Sequence, residues 1–390
     1  MTRKDLIKKF PEKKINPQDG MAVTATVWKE AHEYHRLRQQ LYDLFSHGPG
    51  IVTGLDVEAR DEPGSEVCIS PGIAMDGSGQ IIVLPDEIKR YDFEAMDGSL
   101  YLLLSYSKSQ PRYADDQTEE ERIEYIHDEY IVEVGQSTVR DASLVELARI
   151  RRQVGGGSIV DAQDPEHPGL NEIDLRFRRQ VGSPLLPVAT IAVSYVGGNV
   201  VNHHPHGRGI SYLARALRRS GNYRAWADLD VPLAPGLEYY TLVCLVGQDA
   251  FDLSKAEMES LYNYVQSGGT LFIESCRREI DSGNPPADAA FGELLKSLGF
   301  KPQPLTAQHE LLVEPFLFAT PPPGFENPGK SDVWAGDGVI LSTRDYGCLW
   351  QGARRQGAAS REEIRTAEEW GTSIVAYALN RRNEARNRKV

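Results

Sequence analysis

Cysteine is scarce in this 390-residue sequence: Cys68, Cys244, Cys276 and Cys348 are widely spaced and form no C-x-x-C pair. That usage fits single buried thiols in a reducing cytoplasm and gives no sign of a disulfide framework. No apolar run approaches the length of a membrane span, so no direct membrane insertion is expected. Met1–Pro17 is too charged for a secretory signal, which places synthesis and assembly in the cytoplasm. Positive charge is in deficit: 43 Lys and Arg against 56 Asp and Glu leave a net charge of −13. Such a balance argues against nucleic acid or an anionic membrane as partner. Nucleotide-binding and serine-hydrolase signatures are missing as well. There is no Walker A loop and no G-x-S-x-G elbow. Gly268-Gly269 precedes a strand instead of opening a helix, and Gly207-x-Gly209 lacks the third glycine of a dinucleotide fingerprint. No cofactor is expected.

Hydrophobic content of 41% and charged content of 25% are those of a soluble globular chain, long enough for two or three domains. Residues 1–20 are basic and carry Pro11 and Pro17 without an apolar period, which reads as an extended arm. Residues 21–47 contain an amphipathic helix from about Thr26 to His47. Val27, Ala31, Tyr34, Leu37, Leu41, Leu44 and Phe45 recur at three- and four-residue spacing, with Thr24 or Thr26 as cap and Gly48 as stop. This stripe, with Val27, Ala31, Tyr34 and Leu41 at its centre, packs on its own β domain or contacts another subunit. His32-Glu33-Tyr34-His35 has histidines three apart, where a zinc protease helix needs four.

From Gly48 to Asp86, short β runs (Ile51–Val57, Glu66–Ser70, Gln80–Leu84) are separated by Gly, Pro and Asp turns and read as a β-meander. Leu100–Tyr106, Glu129–Val134, Leu144–Ile150, Ile173–Phe177 and Pro184–Tyr195 are further strands, giving a β-rich module over 48–200. The acidic stretch in 107–128 lacks the ligand spacing of a calcium loop. Asn202 to Gly209 holds His203, His204 and His206, a weak candidate for a metal and more simply an interdomain loop; residues 201–224 are read as linker and helix. Beyond them the character changes. Tyr239–Val246 is a continuous apolar run, Ser254 to Glu257 a capping box, and Thr270–Glu274 and Gly338–Ser342 alternate with helices up to a closing helix over Ala367–Arg382. Residues 225–390 therefore read as a doubly wound α/β domain, and the chain as α+β overall.

The pattern Gly50, Val52, Gly54-Leu55, Val57, Ser70–Gly72, Ala74, Asp76, Gly79, Ile82-Val83 resembles a β-rich module associated with phage-tail-like, contractile injection systems. The likeness extends through Leu147-Ala148, Ile150, Ile159 and Asp161 to cover roughly residues 20–180. The second half, through LSKAEMESLYNYVQSGGTLFIESC, STRDYGCLWQG and GTSIVAYALN, resembles a bacterial domain of unknown function with a class I glutamine amidotransferase-like, flavodoxin-like fold over about Ala225–Asn380. That resemblance points to Cys276, just past a strand, as the catalytic candidate. The enzymes of that class set their cysteine in G-x-C-x-G and carry a late His-x-Glu; here Glu274-Ser275-Cys276-Arg277-Arg278 has neither glycine, and His309 is followed directly by Glu310.

The expected function is a non-enzymatic component of a contractile injection particle, associated with baseplate, collar or cap. Its partners would be other subunits, with copies arranged as a ring. The alternatives are a Cys276-dependent hydrolase or amidotransferase, and a carbohydrate- or surface-binding module using Phe316, Phe318, Phe325, Trp334 and Trp350. Pro321-Pro322-Pro323 reads as a stiff loop, possible as a docking element.

Overall fold

The computed structural model describes the chain apart from residues 1–6, 9, 61–63, 94–95, 114–123, 136–141, 154, 198–204, 278–284, 327–331, 356 and 389–390. It divides into two compact units, Met1–Leu185 and Leu186–Val390. The acidic residues Asp115 to Glu121, like His203 and His204, fall outside the described residues.

In the first unit, helix α1 (Ala25–His47) begins where the Thr24 side chain accepts a hydrogen bond from the Val27 amide at 3.3 Å. It ends at Gly48, whose φ of 71° a side chain would resist. Leu41 and Leu44 are buried; Val27, Ala31, Tyr34 and Leu37 are half-buried. Phe45, expected on the same stripe, is exposed. Preceding residues from Pro11 to Gln18 have no regular structure, and Phe10 lies under the Arg38 guanidinium at 5.3 Å.

The expected meander is two small sheets. Strands β1 (Gly50–Gly54), β4 (Gly72–Met75) and β5 (Ile81–Leu84) form one; β2 (Val57–Ala59), β3 (Glu66–Ile69) and β6 (Ile88–Asp92) form the other. The single strand read over Ile51–Val57 breaks because Gly54 and Leu55 have φ of 62° and 60°, turning the chain from one sheet into the next. Gly54 also lets β1 and β4 cross closely: a Cβ there would stand 2.1 Å from the Pro71 carbonyl oxygen. Asp76 ties the β4–β5 turn, its Oδ1 accepting from the Ser78 and Gln80 amides at 2.8 and 2.9 Å. Gly79 in that turn abuts the Gln40 carbonyl, and Gln40 donates to Gln80 at 2.6 Å, so the turn is where α1 docks.

A five-stranded sheet completes the unit in the order β10 (Asp128–Gly135), β7 (Gly98–Lys108), β11 (Leu144–Arg152), β13 (Glu172–Asp174), β12 (Val160–Asp161). A separate pair joins β8 (Arg112–Tyr113) to β9 (Glu124–Tyr125). Leu55, Val67, Ile69, Ile82, Leu100, Leu104 and Leu147 lie at the centre of one core.

The second unit is built on a seven-stranded sheet. Strands β14 (Val188–Val196), β15 (Arg224–Asp228), β16 (Leu242–Gly247), β17 (Thr270–Ser275) and β20 (Val339–Ser342) pair in parallel in the order β15-β14-β16-β17-β20. In order of appearance that is 2-1-3-4-5, followed by the antiparallel edge strands β19 (Val333–Gly336) and β18 (Gln303–Pro304). Its helices are α2 (Pro205–Arg219), α3 (Lys255–Gln266), α4 (Pro286–Leu298), α5 (Glu310–Val313), α6 (Tyr346–Trp350) and α7 (Arg361–Asn387). Among the described residues no helix is long and apolar enough to cross a membrane.

Two boundaries differ from the sequence reading. Strand β14, placed in the β-rich module, lies between β15 and β16, with Ile191 opposite Leu242. Its near-unbroken run of buried residues is that of a central parallel strand. Residues 205–219, read partly as linker, form α2 of this second unit. Pro205 is compatible with a first helical position because no intrahelical donor is needed there.

A sealed polar cluster as candidate functional site

Three loops at the carboxyl ends of parallel strands bring five polar side chains together, the place where open α/β sheets build their sites. His206 lies in the first turn of α2, after β14. Glu274 and Cys276 lie at the end of β17, where the Cys276 amide donates to the Gly247 carbonyl at 2.8 Å. Asp345 and Cys348 lie at the start of α6, after β20. All five are 0–1% exposed.

Glycines make this convergence possible. Gly207 and Gly209 both sit in α2, where glycine is a poor helix former, because neighbouring groups approach too closely for a side chain. A Cβ at Gly209 would stand 1.7 Å from the Gly347 carbonyl oxygen; one at Gly347 would stand 2.2 Å from the His206 ring. The backbone of α6 thus lies directly against α2 and the imidazole.

Each carboxylate is held by backbone. Glu274 accepts from the Tyr346 and Gly347 amides at 3.0 and 3.1 Å. Asp345 accepts from the Arg277 amide at 2.7 Å and, as cap of α6, from the Cys348 amide at 3.1 Å. Asp345 has φ of 55°, an unusual conformation for a non-glycine that these contacts enforce. Between the carboxylates lies the imidazole: Nε2 is 3.3 Å from Glu274 Oε2 and Nδ1 is 3.0 Å from Asp345 Oδ1. Neither nitrogen is aligned for a regular hydrogen bond. The Cys276 and Cys348 sulfurs are 3.8 Å apart.

Burial disfavours the His206 cation, but Asp345, Cys276 and Glu274 outweigh it and hold the pKa well above the ordinary histidine value. Contact with Cys276 and burial push the Cys348 thiol far up, and burial does the same to Cys244. Protonated, sealed thiols are poor nucleophiles. The set has two evident chemical capacities: an imidazolium clasped by two carboxylates, and a group of four donors, His206, Cys276, Asp345 and Cys348, whose ligand atoms all lie within 4.8 Å of one another.

Of the residues singled out in sequence, Cys276 and His206 meet here. Glu274, Asp345 and Cys348 join them without being marked by the sequence; the spacing Asp345-x-x-Cys348 on one helical turn is the available signal. His309 instead caps α5, its Nδ1 accepting from the Leu311 amide at 3.2 Å. The aromatic residues do not line one groove: Trp350 and Phe325 are buried, Trp350 donating to the Ala367 carbonyl at 2.8 Å, and Phe318 packs edge-on against Trp370. Nor is the proline loop free, since the Pro322 carbonyl accepts from the Tyr346 hydroxyl at 2.6 Å and from Arg344 at 2.9 Å.

Residues 191–379 match the family described as a domain of unknown function (DUF4159), in agreement with the resemblance read in the second half and beginning earlier in the chain. No curated protein matches the sequence. Among solved structures, similar chains occur in the type VI secretion system TssK-TssF-TssG baseplate subcomplex, at 11% identity and a TM-score of 0.27 over 38% of this chain and 60% of that one. A crystal structure of TssK gives 10% identity and a TM-score of 0.29 over 38% of this chain and 40% of that one. A putative ThuA-like protein from Bacteroides uniformis gives 12% identity and a TM-score of 0.26 over 48% of this chain and 92% of that one. The match thus spans 60% or less of the two baseplate-related chains.

Proposed function

We propose that this chain is a non-enzymatic structural component of a phage-tail-like contractile injection particle, attached through its N-terminal unit to other subunits, with copies arranged as a ring. The observation that carries the reading is α1. Of its 23 residues only Leu41 and Leu44 are buried, while Trp28, Tyr42 and Phe45 are 61%, 68% and 45% exposed. At 3.6 residues per turn these three rings fall within about 100° around the axis, a face its own unit leaves uncovered. Covering them would stabilise an interface by roughly 1–2 kcal/mol per ring. The sequence resemblance over residues 20–180 supplies the kind of assembly. The second unit, by its 2-1-3-4-5 strand order, is read as a flavodoxin-like, doubly wound packing domain. Capture of partner subunits from cells by the tagged chain, lost in W28A/Y42A/F45A while the fold persists, is the result expected. Equal capture by both proteins would refute this face as the attachment.

A second reading has one observation in its favour: Cys276, His206 and Asp345 converge where α/β enzymes place their sites. It requires a reachable thiol. Alkylation of Cys276 in the native protein as fast as in a free peptide would support it; alkylation only on unfolding would dismiss it.

A further inference from the structure

We infer that His206, Cys276, Asp345 and Cys348 form a closed tetrahedral site for a divalent metal of the zinc class. The inference concerns the second unit alone and does not depend on the assembly reading. Two thiols, an imidazole and a carboxylate are the donors such a cation prefers, and four protein ligands without an open position make the site structural. The distances suit it. With Zn–S bonds of about 2.3 Å, a tetrahedral arrangement separates two sulfurs by about 3.8 Å, and Cys276 and Cys348 stand at 3.8 Å. With Zn–N and Zn–O bonds of about 2.0 Å the corresponding edge is about 3.3 Å, against 3.0 Å between His206 Nδ1 and Asp345 Oδ1. The four donors lie within 4.8 Å of one another, against mixed sulfur-to-nitrogen or sulfur-to-oxygen edges of about 3.5 Å in a tetrahedral site, so side-chain shifts of about an ångström bring them onto one ion.

The surroundings fit as well. A ligating histidine characteristically donates its other ring N–H to a carboxylate that is itself held. His206 Nε2 faces Glu274 Oε2 at 3.3 Å, and Glu274 is fixed by the Tyr346 and Gly347 amides. Nδ1 is then the ligand. It is fully buried, 3.0 Å from Asp345 Oδ1 and without an aligned hydrogen bond, so it can exchange its proton for a cation. Asp345 offers Oδ1 while Oδ2 is tethered to the Arg277 amide. Gly347, with no side chain, leaves the imidazole its place. On binding, M²⁺ takes the place of the two thiol protons and of the Nδ1 proton of the His206 imidazolium, all of which leave to solvent, while the Nε2–H stays directed at Glu274. Two metal–thiolate bonds, one metal–nitrogen and one metal–oxygen bond form, with no change of oxidation state.

The test is metal analysis of the full-length protein, purified without chelator and without a histidine tag. We expect about one zinc per chain, and about one Co²⁺ after exchange, with the intense visible bands of a tetrahedral thiolate complex. The C276S/C348S variant should retain less than about a tenth of the metal, and E274Q, acting through His206, should bind it roughly 10–100-fold more weakly at unchanged stoichiometry. If the serine variant fails to fold, chelator treatment of the wild-type chain gives the same reading: the melting temperature should fall and two thiols become reactive. Wild-type protein that takes up no zinc even on reconstitution would overturn the inference. So would zinc that the serine variant retains, or chelation without effect on melting or thiol reactivity.

Discussion

Replacing Gly209 by alanine sets two effects of opposite sign against each other. In an ordinary helix interior the change favours folding by about 1 kcal/mol, because glycine has more backbone freedom to lose. At Gly209 the new Cβ would stand 1.7 Å from the Gly347 carbonyl oxygen, with the Gly347 carbonyl carbon at 2.8 Å. An ordinary contact is about 3.5 Å or more, so α2 and α6 must separate by well over an ångström. Both helices are anchored, α6 through Glu274 and α2 through buried Ile210, Leu213 and Leu217. Overpacking costs typically about 1–3 kcal/mol, with a backbone obstacle at the upper end, so after the opposing gain of about 1 kcal/mol G209A should destabilise the second unit by roughly 1–2 kcal/mol net. Gly292, on the exposed face of α4 with nothing within 4 Å of its Cβ position, is the control. G292A should stabilise by up to about 1 kcal/mol, which is about 2–4 °C in a unit of this size. Urea unfolding followed by tryptophan fluorescence reads this unit selectively, since four of the five tryptophans (226, 334, 350 and 370) lie in it. A G209A protein as stable as wild type would refute the close contact on which the cluster's geometry rests.

Three further outcomes follow from other parts of the chain. W28A, Y42A and F45A, at exposed positions of α1, should each change stability by no more than about 0.5 kcal/mol while weakening partner capture; a large loss of stability in isolated protein would mean that the face is covered by this chain itself. D76A removes the acceptor for the Ser78 and Gln80 amides, so thermal unfolding of the first unit should show a cost of about 1–3 kcal/mol. Burial lowers the His309 pKa, and its Nδ1 must stay unprotonated to accept from Leu311. Its contribution is therefore fully present above the unfolded value of about 6.5, and is lost as pH falls through the depressed folded value. H309N keeps a cap without the titration and should flatten that part of the stability–pH curve; an unchanged curve would contradict the assignment.

Much of the second unit was legible in sequence because its determinants are local. The apolar run of β16, the Ser254–Glu257 capping box of α3 and the Gly268-Gly269 stop each specify structure within a few residues. The closing helix is longer than the Ala367–Arg382 of the sequence reading, since Ser360 and Glu363 form a second capping box that starts α7 at Arg361. The cluster was half legible. His206 stands out beside His203 and His204, and Cys276 by its place after a strand. Nothing local says that residues 206, 276 and 345 meet; that follows from the sheet order and from glycines whose purpose is close approach. The same limit hid the first unit's division into two small sheets, which turns on left-handed backbone at Gly54 and Leu55.

The most direct test of the central proposal is electron microscopy of material purified gently through a tag on the chain at native expression. The account predicts tubular or ring-shaped particles carrying the protein at fixed stoichiometry, with Cys276 unreactive until unfolding. A lone monomer whose Cys276 alkylates rapidly in the native state would contradict it.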